Sequence, residues 1–250
     1  MIFVLLRYFV ELSYNGKNYH GWQIQPRAIS VQQKINTALS TLLKEDISVV
    51  GAGRTDAGVH ALQMFAHFDT DQNIVSDITY KLNSFLPNDI VIYNVFMVNN
   101  KVHARFDAIS RSYEYRIWLG KNPFLQDTTW QLLYSNINVE AMNRAANMLL
   151  EYSDFKCFSK VKNQVHSFVC KISKAHWKCE QNELTFYISA DRFLWNMVRA
   201  IVGTLLEIGL GKKTVSDFRK IIESKDRTKA GKSAPAKGLF LTKVSYSYLQ

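Results

Sequence analysis

Alternation of apolar and polar residues predicts several strands along this chain of 250 residues. Residues 7–14 alternate with a period of two, which is typical of a strand with one buried face. The same period recurs over residues 111–119 and 184–191. Shorter apolar runs predict further strands at 47–50, 61–68, 90–98 and 239–248.

Apolar residues at helical spacing predict helices between these strands. Ser30 and Gln33 form a capping-box pattern ahead of one helix, while Asn138 and Thr214 are placed to cap two others. A short helix is also predicted near residues 80–85, and a longer one over residues 193–210. The last of these is apolar on almost every side, so we expect it to be buried.

A polar seam crosses this buried helix. Its members fall at positions i, i+4, i+7 and i+11, and they are Arg192, Asn196, Arg199 and Gly203. An interior guanidinium costs free energy unless it is paired, so Arg199 requires a carboxylate or a phosphate. A structural salt bridge and a role in a functional site both fit this pattern.

Strands outnumber helices and follow no regular βαβ order, which predicts an α+β fold on a largely antiparallel, mixed sheet flanked by helices. Both halves show a similar succession of strand, helix and strand. We therefore expect two related lobes, residues 7–105 and residues 106–250, on either side of a central basic cleft.

Charge and cysteine content narrow the class of protein. The net charge of +10 favours a polyanionic partner such as RNA, DNA or an anionic membrane. The longest apolar runs are interrupted by Arg7, Arg199 and Glu207, so we predict no membrane span, and no signal peptide is predicted either. The three cysteines lack C-x-x-C spacing, which favours buried, reduced thiols and a cytoplasmic protein over disulfides or a zinc site.

The run GAGRTDAGVHA, from Gly51 to Ala61, is the strongest candidate for chemistry. Its glycines permit close approach of another molecule to the backbone. Arg54 lies two residues from the carboxylate of Asp56 and could keep it ionised as a nucleophile or base. The run fits no phosphate-binding template, because Asp56 takes the place of a required glycine and no Lys-Ser/Thr pair follows Gly58.

This run resembles, nearly letter for letter, the catalytic motif of the tRNA pseudouridine synthase A family. Further segments resemble the same family in the same order over almost the whole chain, from about Arg7 to Tyr248. They are NYHGWQIQP, SVQQKI, LNSFLPNDI, HARFDA, RSYEY, FLWNMVRAIVGTLLEIG and APAKGL.

The resemblance implies the pseudouridine synthase fold and conversion of uridine to pseudouridine at positions 38, 39 and 40 in the anticodon arm of tRNA. It implies no cofactor and no metal, and it implies a homodimer. Asp56 matches the catalytic aspartate, Arg54 its paired arginine, and Tyr113 the tyrosine that stacks on the target base. Whether the aspartate adds covalently or removes a ribose proton stays open.

The resemblance also implies a role for Arg199, which matches the arginine of the family's MVR motif and would complete the environment of the aspartate. Further residues in matching loops are candidates for RNA contact: His20, Trp22, Gln23, His103 and Arg105.

Two features depart from the family pattern: Ser153 stands where many relatives carry histidine, and residues 161–170 match poorly. A synthase acting on other RNA positions and an RNA-binding protein without turnover are the alternative functions.

Overall fold

The computed structural model describes residues 5–133, 136–160 and 167–249. The chain divides into two compact units, of which the first comprises Met1–Ile109 with Leu241–Gln250 and the second Ser110–Phe240. Residues 241–249 thus join the first unit, although the predicted lobe boundary assigned them to the second. Most of the poorly matching 161–170 segment, namely residues 161–166, lies outside the described residues, as do residues 1–4.

The first unit contains a mostly antiparallel sheet in which the strand order is β4-β1-β3-β9, with β2 paired to β3. Strand β1 runs antiparallel to both of its neighbours. Two helices, α1 and α2, belong to the same unit. The elements are β1 (Leu6–Tyr14), α1 (Val31–Leu43), β2 (Val50–Gly51), β3 (His60–Thr70), α2 (Ile78–Phe85), β4 (Ile90–Val98) and β9 (Leu239–Tyr246).

The second unit contains strands in the order β5-β8-β7, all antiparallel, with the short β6 parallel to β5. Its α-helices, among the described residues, are α3, α4 and α5. The elements are β5 (Ala108–Leu119), β6 (Trp130–Leu132), α3 (Val139–Met148), β7 (Ile172–Glu180), β8 (Glu183–Ala190), α4 (Met197–Gly209) and α5 (Val215–Ser224). The described residues therefore have the predicted α+β composition with mostly antiparallel pairing.

Side-chain caps begin three of these helices, as the sequence predicts. The Asn138 side chain accepts a hydrogen bond from the Ala141 N–H at 2.9 Å, and Thr214 forms a complete capping box with Asp217. Ser30 accepts from the Gln33 N–H at 3.2 Å. These bonds satisfy backbone donors that have no partner inside the helix.

Three local predictions are wrong. The strand expected over residues 47–50 is reduced to the two residues of β2. The helix expected from residue 193 begins at Met197, so Asn196 is its N-cap and Arg192 lies further outside it. The third concerns Cys179, which is exposed although all three thiols were expected to be buried.

Cys157 and Cys170 are buried, as expected, and burial raises the pKa of each thiol to about 12.

Candidate active site

The loop that carries Asp56 is held at both ends by strand pairing. Gly51 of β2 lies opposite Ala66 of β3, and the Ala52 N–H donates to the Phe65 carbonyl at 2.7 Å. Within the loop, the Val59 N–H donates to the Asp56 carbonyl at 3.1 Å and closes a tight turn. Asp56 is half-buried at this turn, so its position is defined by the fold and is still accessible.

A second segment, residues 14–22, forms backbone hydrogen bonds with the same loop. The Trp22 N–H donates to the Thr55 carbonyl at 3.2 Å, and the Gly58 N–H donates to the Tyr19 carbonyl at 3.2 Å. The hydroxyls of Tyr14 and Thr55 share a buried hydrogen bond of 2.8 Å. These bonds fix the residues on both sides of Asp56.

Two glycines of this segment allow the close approach. Gly21 has a φ of +88°, and a Cβ there would lie 2.3 Å from the Thr55 carbonyl oxygen and 3.0 Å from the Asp56 carbonyl carbon. A Cβ on Gly16 would lie 1.9 Å from the Val59 carbonyl oxygen. Any larger residue at Gly21 must therefore displace the loop beside the carboxylate.

Charge-assisted hydrogen bonds to the Asp89 carboxylate hold residues 14–22 in place. The Tyr19 hydroxyl donates to the Asp89 carboxylate at 2.5 Å, and Asn18 donates to the other carboxylate oxygen at 3.1 Å. Burial, together with the neighbouring Asp89, raises the pKa of the Tyr19 hydroxyl, which therefore stays a donor. Sequence reasoning did not single out Tyr19 or Asp89, although both lie in segments that resemble the family.

Arg54 has an exposed side chain. Within the described part of the chain it makes no hydrogen bond or ion pair. The guanidinium is therefore available to a bound molecule.

The candidates His20, Trp22 and Gln23 differ in exposure. His20 is exposed, and its backbone is bonded to Ile29. Gln23 is half-buried. Trp22 is only 2% exposed, and its ring packs so tightly on Gly51 that a Cβ there would lie 2.5 Å away. Trp22 thus supports the loop that carries Asp56 from beneath.

His103 and Arg105 lie in the loop of residues 102–107, which precedes β5. The His103 ring is half-buried, and its Nδ1 accepts the N–H groups of Arg105 and Phe106 at 3.0 and 3.3 Å. Arg105 is exposed, with its guanidinium carbon 5.7 Å from the centre of the Phe106 ring. His103 therefore shapes the loop, and Arg105 extends from it.

Tyr113 lies on β5 in the second unit, opposite Ile188 of β8. Its ring is half-buried and meets the Phe193 ring edge to face, with 5.1 Å between the ring centres. Such packing fixes the plane of the ring and leaves part of its surface accessible.

The polar seam of α4 is where the segment of residues 230–235 packs. The Arg199 Nε donates to the Ala234 carbonyl at 2.7 Å, and the Ala234 N–H donates to the Arg199 carbonyl at 2.9 Å. Asn196 donates to the Ser233 hydroxyl. A Cβ on Gly203 would lie 1.8 Å from the Lys232 carbonyl oxygen. The seam thus serves backbone packing, and Arg199 is half-buried within it.

The chemistry available here is that of the half-buried, accessible carboxylate of Asp56, with the exposed guanidinium of Arg54 two residues away in sequence. Among residues 5–133, 136–160 and 167–249, no group of three or more His, Cys, Asp or Glu side chains is placed to hold a metal ion. No helix in those same ranges is long and apolar enough to cross a membrane.

An ionised carboxylate such as that of Asp56 can act as a nucleophile or as a base.

Comparison with known proteins gives matches along nearly the whole chain. The family described as tRNA pseudouridine synthase matches residues 12–107 and 145–247. A protein of Bacteroides thetaiotaomicron named tRNA pseudouridine synthase A is 53% identical over 245 residues, covering 96% of this chain and 90% of that protein. Proteins of the same name are 51% identical in Azobacteroides pseudotrichonymphae, covering 96% of both chains, and 42% identical in Ruminiclostridium cellulolyticum, covering 95% of this chain and 98% of that protein.

Proposed function

The chain belongs to the tRNA pseudouridine synthase A family and isomerises uridine to pseudouridine in tRNA, and we propose that Asp56 is its catalytic residue. The observation that supports this assignment is the geometry of the loop. Hydrogen bonds at Thr55 and Gly58 fix the backbone on both sides of a half-buried, accessible carboxylate. Fixed placement of a reacting group is a large part of enzymatic rate enhancement.

The reaction requires a group of this kind. The bond between uracil N1 and ribose C1′ breaks, the base turns, and a bond forms between C5 and C1′. C5 loses a proton and N1 gains one, so no net oxidation occurs and no group donor is consumed. Asp56 either adds covalently to the substrate or removes a ribose proton, and both routes need the ionised carboxylate.

Three further residues are proposed to act with Asp56. Tyr113 offers an oriented, half-buried ring on which the target base can stack, and its hydroxyl is proposed to help remove the C5 proton. The exposed guanidinium of Arg54 is suited to holding the nucleotide once it leaves the helical stack. Arg199 is proposed to add positive charge that keeps the carboxylate ionised.

The peripheral candidates are proposed to have different roles. His20, Gln23, His103 and Arg105 are proposed to contact RNA, since each has accessible surface. Trp22 has almost none and is proposed to act by supporting the Asp56 loop. Loss of the Trp22 side chain is therefore expected to lower activity by displacing the Asp56 loop, and not by removing an RNA contact.

We propose uridines 38, 39 and 40 in the anticodon arm as the targets and the cytoplasm as the location. Pseudouridine mapping of tRNA from cells with and without this gene tests the proposed target positions. We expect pseudouridine at these three positions to disappear on deletion and to return with the intact gene. Loss of pseudouridine elsewhere would redirect the assignment to another RNA site. An unchanged map together with tRNA binding would indicate a binding protein without turnover.

We also propose that the enzyme acts as a two-fold homodimer, because a tRNA is long compared with one chain of 250 residues. The net charge of +10 per chain would double in the dimer and offer phosphate contacts to more than one arm of the RNA. Light scattering is expected to give twice the mass of one chain at working concentrations. A monomer throughout the active concentration range would contradict the proposal.

A further inference from the structure

We propose that the ring of Phe106 is a stacking platform for an unpaired base of the tRNA substrate. The inference rests on tRNA as the substrate and deepens the proposed function. It concerns the 102–107 loop of the first unit. Four independent observations support it: the exposure of the ring, the rigidity of the loop, the aromatic contacts beneath the ring and the charge around it.

Exposure sets Phe106 apart from the aromatic residues of the core. The ring is 75% exposed, although it belongs to a loop that lies against a buried sheet. The exposed part of an aromatic ring gains nothing for folding from the hydrophobic effect, because that apolar surface stays in water. A ring held in this way is suited to a partner that covers it.

The loop beneath Phe106 is held by hydrogen bonds from several directions. Arg7 donates to the Val102 carbonyl at 2.8 Å. Ala104 donates to His67 Nδ1 at 3.2 Å, and its carbonyl accepts from the Tyr246 hydroxyl at 2.6 Å. The side chain of Asp107 accepts from the His103 N–H at 2.7 Å. The backbone that carries Phe106 is therefore pre-organised, which lowers the entropic cost of binding.

Phe106 is the outermost of three aromatic rings that touch in series. The buried His67 ring lies 4.6 Å from His103, and His103 lies 4.3 Å from Phe106, measured between ring centres. His103 Nδ1 accepts two backbone N–H groups, so this nitrogen carries no proton. Burial lowers the pKa of both histidines, to about 4 for His67, and the rings are neutral at pH 7. A nucleobase on Phe106 would extend this series.

The charge around the ring favours an RNA base over an apolar protein partner. Arg105 is exposed on this loop, and Lys101, which immediately precedes the loop in sequence, is also exposed. The nearby carboxylates are already bonded, with Asp69 paired to Arg7 at 2.7 Å and Asp107 to the His103 N–H. Positive charge next to an exposed aromatic ring is the usual composition of a site for single-stranded nucleic acid, in which the cation meets phosphate and the ring stacks on a base.

Three variants test the proposal: Phe106→Ala, Phe106→Trp and, as a matched control, Phe124→Ala. Phe124 is 93% exposed in the second unit, so its loss also removes an exposed phenyl ring. Equilibrium binding of an unmodified tRNA transcript is the primary measurement. We expect Phe106→Ala to weaken affinity about tenfold, the scale of one lost base stack. Phe106→Trp should restore affinity to within about twofold of the original protein, since indole also stacks.

Phe124→Ala should leave affinity unchanged. An equal loss in both alanine variants, or no loss in Phe106→Ala, would overturn the proposal. So would a change in oligomeric state on light scattering of Phe106→Ala, which would mean that the ring meets a second copy of the chain. Thermal melting serves as a check that each variant is folded. Because affinity and not the rate of turnover is the measured quantity, this result is separate from the test of Asp56 and from the pseudouridine map.

Discussion

Replacing Asp56 with asparagine is expected to lower kcat for pseudouridine formation at least about a thousandfold. The amide has nearly the shape of the carboxylate, so the loop should keep its hydrogen bonds at Thr55 and Gly58. An amide supplies neither a nucleophilic oxygen anion nor a base near neutral pH. Affinity for tRNA should change little, because the loss falls on the chemical step. Tritium release from C5 of labelled uridine in tRNA measures the rate.

Asp46→Asn is the matched control for this experiment. Asp46 is an exposed carboxylate in the same unit, and its replacement removes the same charge from the surface. Full activity in Asp46→Asn beside an inactive Asp56→Asn would separate the role of the site from an effect of net charge. Substantial turnover by Asp56→Asn, with deamidation excluded by mass spectrometry, would refute the assignment of the catalytic residue.

The second large effect is expected from Gly21→Ala, a change that does not touch the carboxylate itself. The added Cβ would lie 2.3 Å from the Thr55 carbonyl oxygen, in a backbone conformation that residues with a Cβ rarely adopt. The loop must move away, and a displacement of about 1 Å at a catalytic group can reduce the rate about a hundredfold. We expect kcat to fall by that order, as measured in the tritium-release assay, while the protein remains folded.

Gly53→Ala controls for the loss of a glycine in the same region. A Cβ at Gly53 meets no atom within 4 Å, so this variant should keep nearly full activity. If Gly21→Ala were as active as Gly53→Ala, the close packing of residues 14–22 on the Asp56 loop would have no part in catalysis. Circular dichroism of both variants distinguishes a shifted loop from an unfolded unit.

Periodicity and capping residues predicted much of the fold. The predicted strand over residues 90–98 has the same bounds as β4, and Thr214 caps α5 as its pattern indicates. These features depend on residues that are close in sequence, which is why they can be read from the chain. The candidate loop around Asp56 was likewise visible as a local motif between two predicted strands.

Strand β7 was not predicted, and its geometry explains why. A bulge between Ile172 and Lys174 shifts the pairing with β8, so buried and exposed residues do not alternate regularly at its start. The hairpin to β8 turns at Gln181 and Asn182, and the positive φ of +53° falls on Gln181, at a position where glycine or asparagine is the usual residue. The pattern rules therefore had little to detect in this segment.

Contacts between residues that are far apart in sequence could not be predicted from the sequence either. The contact of Tyr19 with Asp89 joins positions 70 residues apart. The polar seam of α4 was visible, but its partner, the 230–235 segment, could be identified only from the structure. Patterns along a chain report the face that a residue presents, whereas the identity of the opposite surface is set by tertiary packing.

The discontinuity of the first unit affects the order in which the protein can fold during synthesis. Residues 241–249 complete the sheet that supports the Asp56 loop: β9 pairs with β3, and Val244 donates to the Gln63 side chain at 3.1 Å. The ribosome makes them only after the whole second unit. The second unit, which is continuous in sequence, can therefore reach its native state first. The unit that begins earlier is finished later, and the Asp56 loop acquires its full support only after the second unit has been made.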